Sequence, residues 1–444
     1  MRIQLSDHFS YRKLFRFTLP SIAMMIFTSI YGVVDGFFVS NFAGKTPFAA
    51  VNLIMPVLMI MGTVGFMFGT GGTALVAKTF GEGDAERANR TFSLLVYTAF
   101  LIGIVLSVLG MAFIRPIAQA LKAEGALLEN CVLYARIILA ALPFYMLQVM
   151  FQSFFVAAEK PHLGLVVTVA SGMSNMILDA VLVIFLPQEY KLAGAAIATA
   201  VAQTVGGGIP LIYFFGKNSS ILRLGKTSFD GKAILRACTN GSSEFMSNIS
   251  MSLVGILYNL QLMEYAGENG ISAYGVMMYV SMIFAAVFIG YSIGIAPVVG
   301  YHDGARNYDE LKGLLRKSLK LIGGFGIFMV LAAELLAFPL AKIFVGYDAE
   351  LLEMTTSGFR IFALSFGFMG FGIFASGFFT ALNDGLTSAL ISFLRTLVFQ
   401  SAAILLLPML WELTGIWISV VVAEFMSVVL GSAFLVAKRK KYHY

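Results

Sequence analysis

Apolar runs long enough to cross a bilayer recur twelve times along this chain of 444 residues. A lipid core of about 30 Å takes about 20 helical residues to span, and each backbone polar group inside it must be paired within its own segment. The runs fall at 14–40, 48–77, 92–114, 130–157, 163–186, 192–215, 234–262, 271–299, 318–338, 354–381, 386–408 and 413–436. Several exceed 25 residues, which predicts tilt or extension beyond the hydrocarbon. The expected fold class is therefore all-α integral membrane, with twelve transmembrane helices.

Composition agrees. The chain is 59% hydrophobic and 12% charged, with mean hydropathy +0.85. Soluble domains average about 45–50% apolar and about 25% charged. The 44 glycines fit helices whose backbones pack closely in lipid. A net charge of +6 does not point to nucleic acid, because the charges sit at the ends of apolar runs. Two cysteines, Cys131 and Cys238, are too few for a disulfide framework. His8, His162, His302 and His443 all fall in polar connections or tails, which argues against a buried histidine metal site or proton relay. There is no P-loop, G-x-S-x-G or dinucleotide fingerprint. An ion gradient, with no cofactor, is the expected energy source. The N-terminal run is too long for a signal-peptide core and lacks a small-residue cleavage site.

Lysine and arginine set the expected orientation. With both termini on one side, 22 of the 30 fall on that side, in tails, connections or the adjoining helix turns. Five fall opposite: Lys45, Arg115, Lys122, Lys191 and Lys342. Arg136, Arg360 and Arg395 lie within spans. This predicts a multi-pass membrane protein with both termini on the cytoplasmic side. It puts Cys131 near the outer face and Cys238 near the inner one, so the two should not pair.

The sequence also resembles itself at a shift of roughly 220–224 residues. Pro116-Ile117-Ala118 echoes Pro339-Leu340-Ala341, and Leu127-Leu128-Glu129 echoes Leu351-Leu352-Glu353. Arg136-Ile137 echoes Arg360-Ile361, Phe154-Phe155-x-Ala157 echoes Phe378-Phe379-x-Ala381, and Gly194-x-x-Ile197 echoes Gly415-x-x-Ile418. Order and spacing are both kept. Two pseudo-symmetric six-helix lobes are expected, 1–220 and 221–444, with the polar stretch 216–233 as linker. Carriers with a central binding site use such repeats; a static channel is the alternative. The turns at Gly81 to Arg87 and Gly304 to Asn307 read as hinges at most.

Polar groups confined to one half are the natural functional candidates, because ionisable residues in lipid are costly. Asp35 lies in the first span. Ser171, Asn175 and Asp179 are spaced i, i+4, i+8 and form one stripe on the fifth. Thr199, with Gln203 one turn on, lies in the sixth. At ~1.5 Å per residue, Asp35, Asp179 and Thr199 all sit roughly 8–11 Å below the outer boundary. Two chemistries fit. A carboxyl beside a like charge can carry a proton. Two carboxylates, an amide oxygen and a hydroxyl also make a hard-oxygen site for Na⁺. The bland alternative is that each Asp merely ties helices together.

The second half has Glu244, Arg395 and Glu424 at mid-membrane. Arg395 with one of the glutamates reads as a structural ion pair. A glutamate open to a central cavity would attract cations, and Glu244 is the first choice. Glu334 is expected to reach the interface by snorkelling. Met246, Met278 and Tyr279, with Asn259, Gln203, Arg395 and Glu424, complete the expected cavity lining; Met-rich walls suit adaptable binding.

At these residues the chain resembles the multidrug and toxic compound extrusion (MATE) transporters. The resemblance rests on Pro20 and Asp35, on the Pro116-Ile117-Ala118 and Arg136-Ile137 pattern with its repeat, on Asn175-x-x-x-Asp179, and on Gly194 to Thr199. Gly241-Ser242-Ser243-Glu244-Phe245, followed by Asn259, resembles the MepA-like bacterial branch. The resemblance implies two six-helix lobes in a V around a central cavity, and antiport of drugs against H⁺ or Na⁺. Carried over by position, it assigns Asp35, Asn175, Asp179 and Thr199 to the family's N-lobe cation site.

The expected activity is export of amphipathic, cationic organic compounds by a monomer working through alternating access. No catalytic residues and no nucleic-acid partner are expected. The runner-up is a flippase for a lipid-linked saccharide, which needs a cavity ringed by arginine and lysine. A membrane enzyme would need a convergent nucleophile–base or metal set, and a scaffold would leave the one-sided carboxylate pair unexplained.

Overall fold

Residues 3–444 are described by the computed structural model of the chain. They are helical nearly throughout and contain no strand among the described residues. The N-terminal half consists of α1 (Tyr11–Phe38), α2 (Lys45–Gly81), α3 (Ala85–Ala120), α4 (Gly125–Ala157), α5 (Pro161–Phe185) and α6 (Lys191–Phe215). A π-helical turn, Val39–Ala43, closes the end of α1.

The second half opens with a continuous helical stretch of 74 residues, Gly231–Gly304. At about 1.5 Å per residue it would measure over about 100 Å, more than three bilayer cores. It does not run straight: Gly267 breaks it at φ 61° and ψ −150°. That conformation is closed to side-chain-bearing residues in practice. The stretch is thus two helices, α7 (231–266) and α8 (268–304), joined by one residue. Next come α9 (Tyr308–Val345) and α10, whose two pieces, Ala349–Ala363 and Phe366–Ala381, meet at 47°. Helix α11 starts as Gly385–Phe393, passes through a π-helical turn at Leu394–Phe399 and ends as Gln400–Leu406. The last, α12, is Pro408–Tyr442, interrupted near its start at Trp411 and Glu412.

Among the described residues, ten helical stretches are long and apolar enough to cross a membrane. Splitting one at Gly267 and counting the bent α10 as one pass gives the twelve expected spans. Helix starts at the face carrying both termini are capped by the sequence itself. Side-chain oxygens of Ser10, Asp84, Asp230, Asn307 and Asp384 accept from backbone N–H groups of the first turns. Such caps satisfy donors that have no intrahelical partner.

The halves meet tightly at this terminus-side face. A Cβ on Gly241 of α7 would lie 2.0 Å from the Met67 carbonyl oxygen of α2, and one on Gly81 would lie 2.0 Å from the Tyr301 carbonyl oxygen of α8. Backbones approach this closely only where glycine removes the side chain. Lys78 pairs with Asp303 at 2.9 Å, and Asn383 donates to the Ala74 carbonyl at 3.2 Å across the same seam. Toward the opposite end, the space beside Gly32 and Gly36 of α1 and Gly255 and Gly275 of α7 and α8 is empty to 4 Å. No such close approach occurs at these four glycines.

The N-terminal strap also crosses the seam. The Leu5 N–H donates to Glu159 at 2.9 Å, and the Phe9 N–H donates to Glu310 at 2.9 Å. His8 pairs with Glu310 at 2.5 Å, and Lys317 donates to the Phe9 carbonyl. Leu5 and Phe9 are buried. One expectation is corrected here. His302 is not in a polar connection: it closes the last turn of α8 and is 1% exposed. It lies against the backbone of Leu5 and Asp7, so the strap is what buries it.

Candidate functional site

The polar stripe on α5 faces inward, with Ser171, Asn175 and Asp179 all buried and Asp179 0% exposed. Its upper end meets α1 and α6. The Asn175 amide donates to the Thr199 hydroxyl at 3.4 Å, and that hydroxyl donates to Asp35 at 3.5 Å. The carboxylates of Asp35 and Asp179 face each other. The structure therefore brings Asp35, Asn175, Asp179 and Thr199 together, each from its expected helix.

Sequence reasoning missed a fourth helix. Tyr134 of α4 is 1% exposed and faces Asp35, Asp179 and Thr199. Depth would have found it: Tyr134 lies nine residues into α4, about 14 Å from the end opposite the termini.

The cluster has more acceptors than donors. Asn175 Oδ1 and both oxygens of Asp179 are buried without a hydrogen-bond partner among the described residues. Uncompensated buried oxygens of this kind cost several kcal/mol unless a proton or cation joins them. Two carboxylates, an amide oxygen and hydroxyls are all hard ligands, suited to Na⁺ as well as to a bound proton. No group of three or more His, Cys, Asp or Glu that could hold a metal ion occurs among the described residues.

One turn deeper, the halves differ in an instructive way. In the first half, Gln148 of α4 fills the space beside Gly206 of α6 and donates to Ser171 of α5 at 3.1 Å. In the second half, Arg395 of α11 fills the space beside Gly372 of α10, next to Ser427 of α12. Arg395 donates to both oxygens of Glu424, at 2.9 Å each. Glu424 is 1% exposed. Gln148 and Gly372, Ser171 and Arg395, Gln203 and Glu424, and Gly206 and Ser427 are each 221 or 224 residues apart.

The remaining cavity residues do not converge. Glu244 is half-buried on α7, with no partner for its carboxylate among the described residues. Met246 and Met278 are half-buried and Asn259 is exposed. Gln203 keeps a buried side-chain oxygen unpaired. Tyr279 stacks on Phe344 of α9, with ring centroids 6.4 Å apart. Glu334 reaches Arg360 at 3.9 Å, both partly exposed. Cys131 and Cys238 are free thiols.

Comparison with known proteins decides the family. The MatE family profile matches the chain twice, over residues 20–181 and 245–405. The chain belongs to the MatE family. Among MatE relatives, the multidrug export protein MepA of Staphylococcus haemolyticus (strain JCSC1435) is 24% identical over 418 residues, covering 93% of this chain and 90% of that protein. MepA of Staphylococcus aureus (strain MSSA476) is 24% identical over 416 residues, covering 93% and 91%. Among solved structures, a MATE crystallised in complex with MaL6 superimposes with TM-score 0.93 at 21% identity, over 98% of both chains. A multidrug resistance MATE family transporter of the MOP superfamily, in an outward-facing conformation, gives 0.92 at 21% identity over 98% and 97%. As a MatE protein the chain is a membrane transporter and not an enzyme.

Proposed function

We propose that this transporter exports amphipathic, cationic organic compounds in exchange for H⁺ or Na⁺, with Asp35, Asn175, Asp179, Thr199 and Tyr134 as the coupling site. One observation carries the reading: Asp35, Asp179, Asn175 and Thr199 converge from three helices of the first half, with Asn175 Oδ1 and both Asp179 oxygens buried and unmatched. Similarity to multidrug export proteins over most of their length supports the cargo class.

The proposed cycle builds on that cluster. Residues 1–220 and 221–444 act as two lobes, with the terminus-side face cytoplasmic. With the cleft open away from that face, an external cation reaches Asp35 and Asp179. Binding cancels their repulsion and draws α1, α5 and α6 together. The repacked helices narrow the cleft and displace cargo held near Glu244. A cation moving inward down about 100 mV supplies ~2.3 kcal/mol per charge.

The lipid-linked saccharide alternative finds no support. It needs a ring of free intramembrane cations, yet Arg395 is committed to Glu424 and Arg360 lies beside Glu334, which leaves Arg136, itself exposed, with no second arginine to form a ring.

The test is reconstitution in liposomes with a fluorescent organic cation and separate pH and Na⁺ gradients. Dye movement driven by one gradient, and lost in Asp35→Asn, is the expected result. Unchanged movement in a well-expressed Asp35→Asn and Asp179→Asn protein would overturn the coupling site.

A further inference from the structure

A cavity of about 500 Å³ opens between the halves at the terminus-side face. A smaller one of about 120 Å³ adjoins it and shares Arg87 and Arg236 in its walls. Arg87 stands in the first turn of α3, in the N-terminal half. Arg236 stands in the second turn of α7, in the C-terminal half.

The charges lining the larger cavity can be counted against their partners. Lys78 is held by Asp303. Asp384 is held by Lys438, Lys441 and the Tyr442 hydroxyl. That leaves the two guanidinium groups, which have no acidic partner among the described residues, against the single carboxylate of Glu82. The net vacancy is for one negative charge. Asp230 and Lys232, in the smaller cavity, add one charge of each sign.

Guanidinium groups bind phosphate oxygens through paired N–H donors, and two of them across a cleft fit a phosphodiester. Among these polar walls one large apolar side chain faces out: Leu386 lines the larger cavity and is 75% exposed. A monoanionic phosphate beside an exposed leucine, at the basic end of a membrane protein, matches an anionic phospholipid with its chains along the outer helix surface.

We infer that Arg87 and Arg236 clamp the phosphodiester headgroup of an anionic phospholipid between the two halves. The inference uses the cytoplasmic assignment of this face made above. Because one arginine comes from each half, the bound lipid bridges the seam. It therefore favours the arrangement in which this face is closed, in proportion to its preference for that arrangement.

The experiment is thermal unfolding of the full chain in nanodiscs of phosphatidylcholine alone or with one third phosphatidylglycerol. Inorganic phosphate is added to phosphatidylcholine discs as a separate arm, and native mass spectrometry counts retained lipid. Phosphatidylglycerol should raise the midpoint by about 3 °C or more and one lipid should be retained. In Arg87→Gln/Arg236→Gln both effects should vanish while the midpoint in phosphatidylcholine stays unchanged. Arg87→Lys/Arg236→Lys should recover part of them. Stabilisation that persists in the glutamine pair, or is absent from the parent, overturns the site. An equal rise with inorganic phosphate alone overturns its assignment to lipid. None of these readouts uses transport, so they stand or fall separately from the antiport reading.

Discussion

Arg395 grips the carboxylate of Glu424 with two nitrogens, Nε donating to one oxygen and Nη2 to the other, each at 2.9 Å. The pair ties α11 to α12 inside the second half, at the depth where Gln148 and Ser171 tie α4 to α5 in the first. Breaking a buried pair from one side strands a charge, at a cost of about 3–5 kcal/mol. Removing both partners together costs far less. Arg395→Met and Glu424→Gln should each lower the thermal midpoint of the purified protein clearly, and Arg395→Met/Glu424→Leu should recover most of it. Additive losses in the double variant would mean that the two groups act separately.

The coupling cluster makes a graded prediction. Asp179→Asn should cut gradient-driven dye movement by about tenfold or more, because it removes half of the buried charge that attracts the cation. Tyr134→Phe removes only a hydroxyl at the rim of the cluster. It should leave folding intact and raise the driving-ion concentration for half-maximal transport several-fold. A Tyr134→Phe protein with unchanged ion dependence would place Tyr134 outside the site.

The seam at Gly241 allows a direct test of closure. An alanine there puts its Cβ 2.0 Å from the Met67 carbonyl oxygen, so the helices must part. Cys238, one turn before Gly241 on α7, is a half-buried reporter already present, and the buried Cys131 is the internal control. Maleimide labelling of Cys238 should be faster in Gly241→Ala than in the parent, with Cys131 unchanged. Equal rates would show that the seam absorbs a methyl group without opening.

Asp384 anchors the C-terminus. Burial alone would raise its carboxyl pKa, but hydrogen bonds from Tyr442 and Thr387, with Lys441 nearby, hold it below the usual carboxylate value. A lowered folded-state value contributes stability above the ordinary carboxylate pKa of about 4, and that contribution fades as pH falls through the lowered value. Docking of the tail should therefore be flat from pH 8 to about pH 5 and weaken only in stronger acid. Asp384→Asn keeps the helix cap but loses the charge. Trypsin cleavage at Lys438 to Lys441 should speed up several-fold at pH 8. Unaltered cleavage would count against the anchor.

Much of this was legible in the residues. Apolar run length revealed the twelve passes, because lipid leaves the backbone few alternatives. The i, i+4, i+8 spacing of Ser171, Asn175 and Asp179 revealed the stripe, because helical periodicity is local. What escaped was decided by tertiary contact. Tyr134 belongs to no polar stripe running down α4, because its i+3 and i+4 neighbours, Ile137 and Ile138, are apolar. His302 reads as a surface residue until the strap with Leu5 and Phe9 folds over it. Arg395 had two candidate glutamates, and only the crossing of α11 with α12 selects Glu424 over Glu244.

Gly267 carries a mechanical implication. A loop of ordinary length between α7 and α8 would take up slack whenever one of them moved. A one-residue joint has almost none to give. Any swing of α7 at the end opposite the termini must be handed on to α8, and through α8 to its packing on α1. The first two helices of the second half then work as the two arms of a crank, and the stiffness of that elbow sets how much of a local displacement becomes a stroke of the whole half.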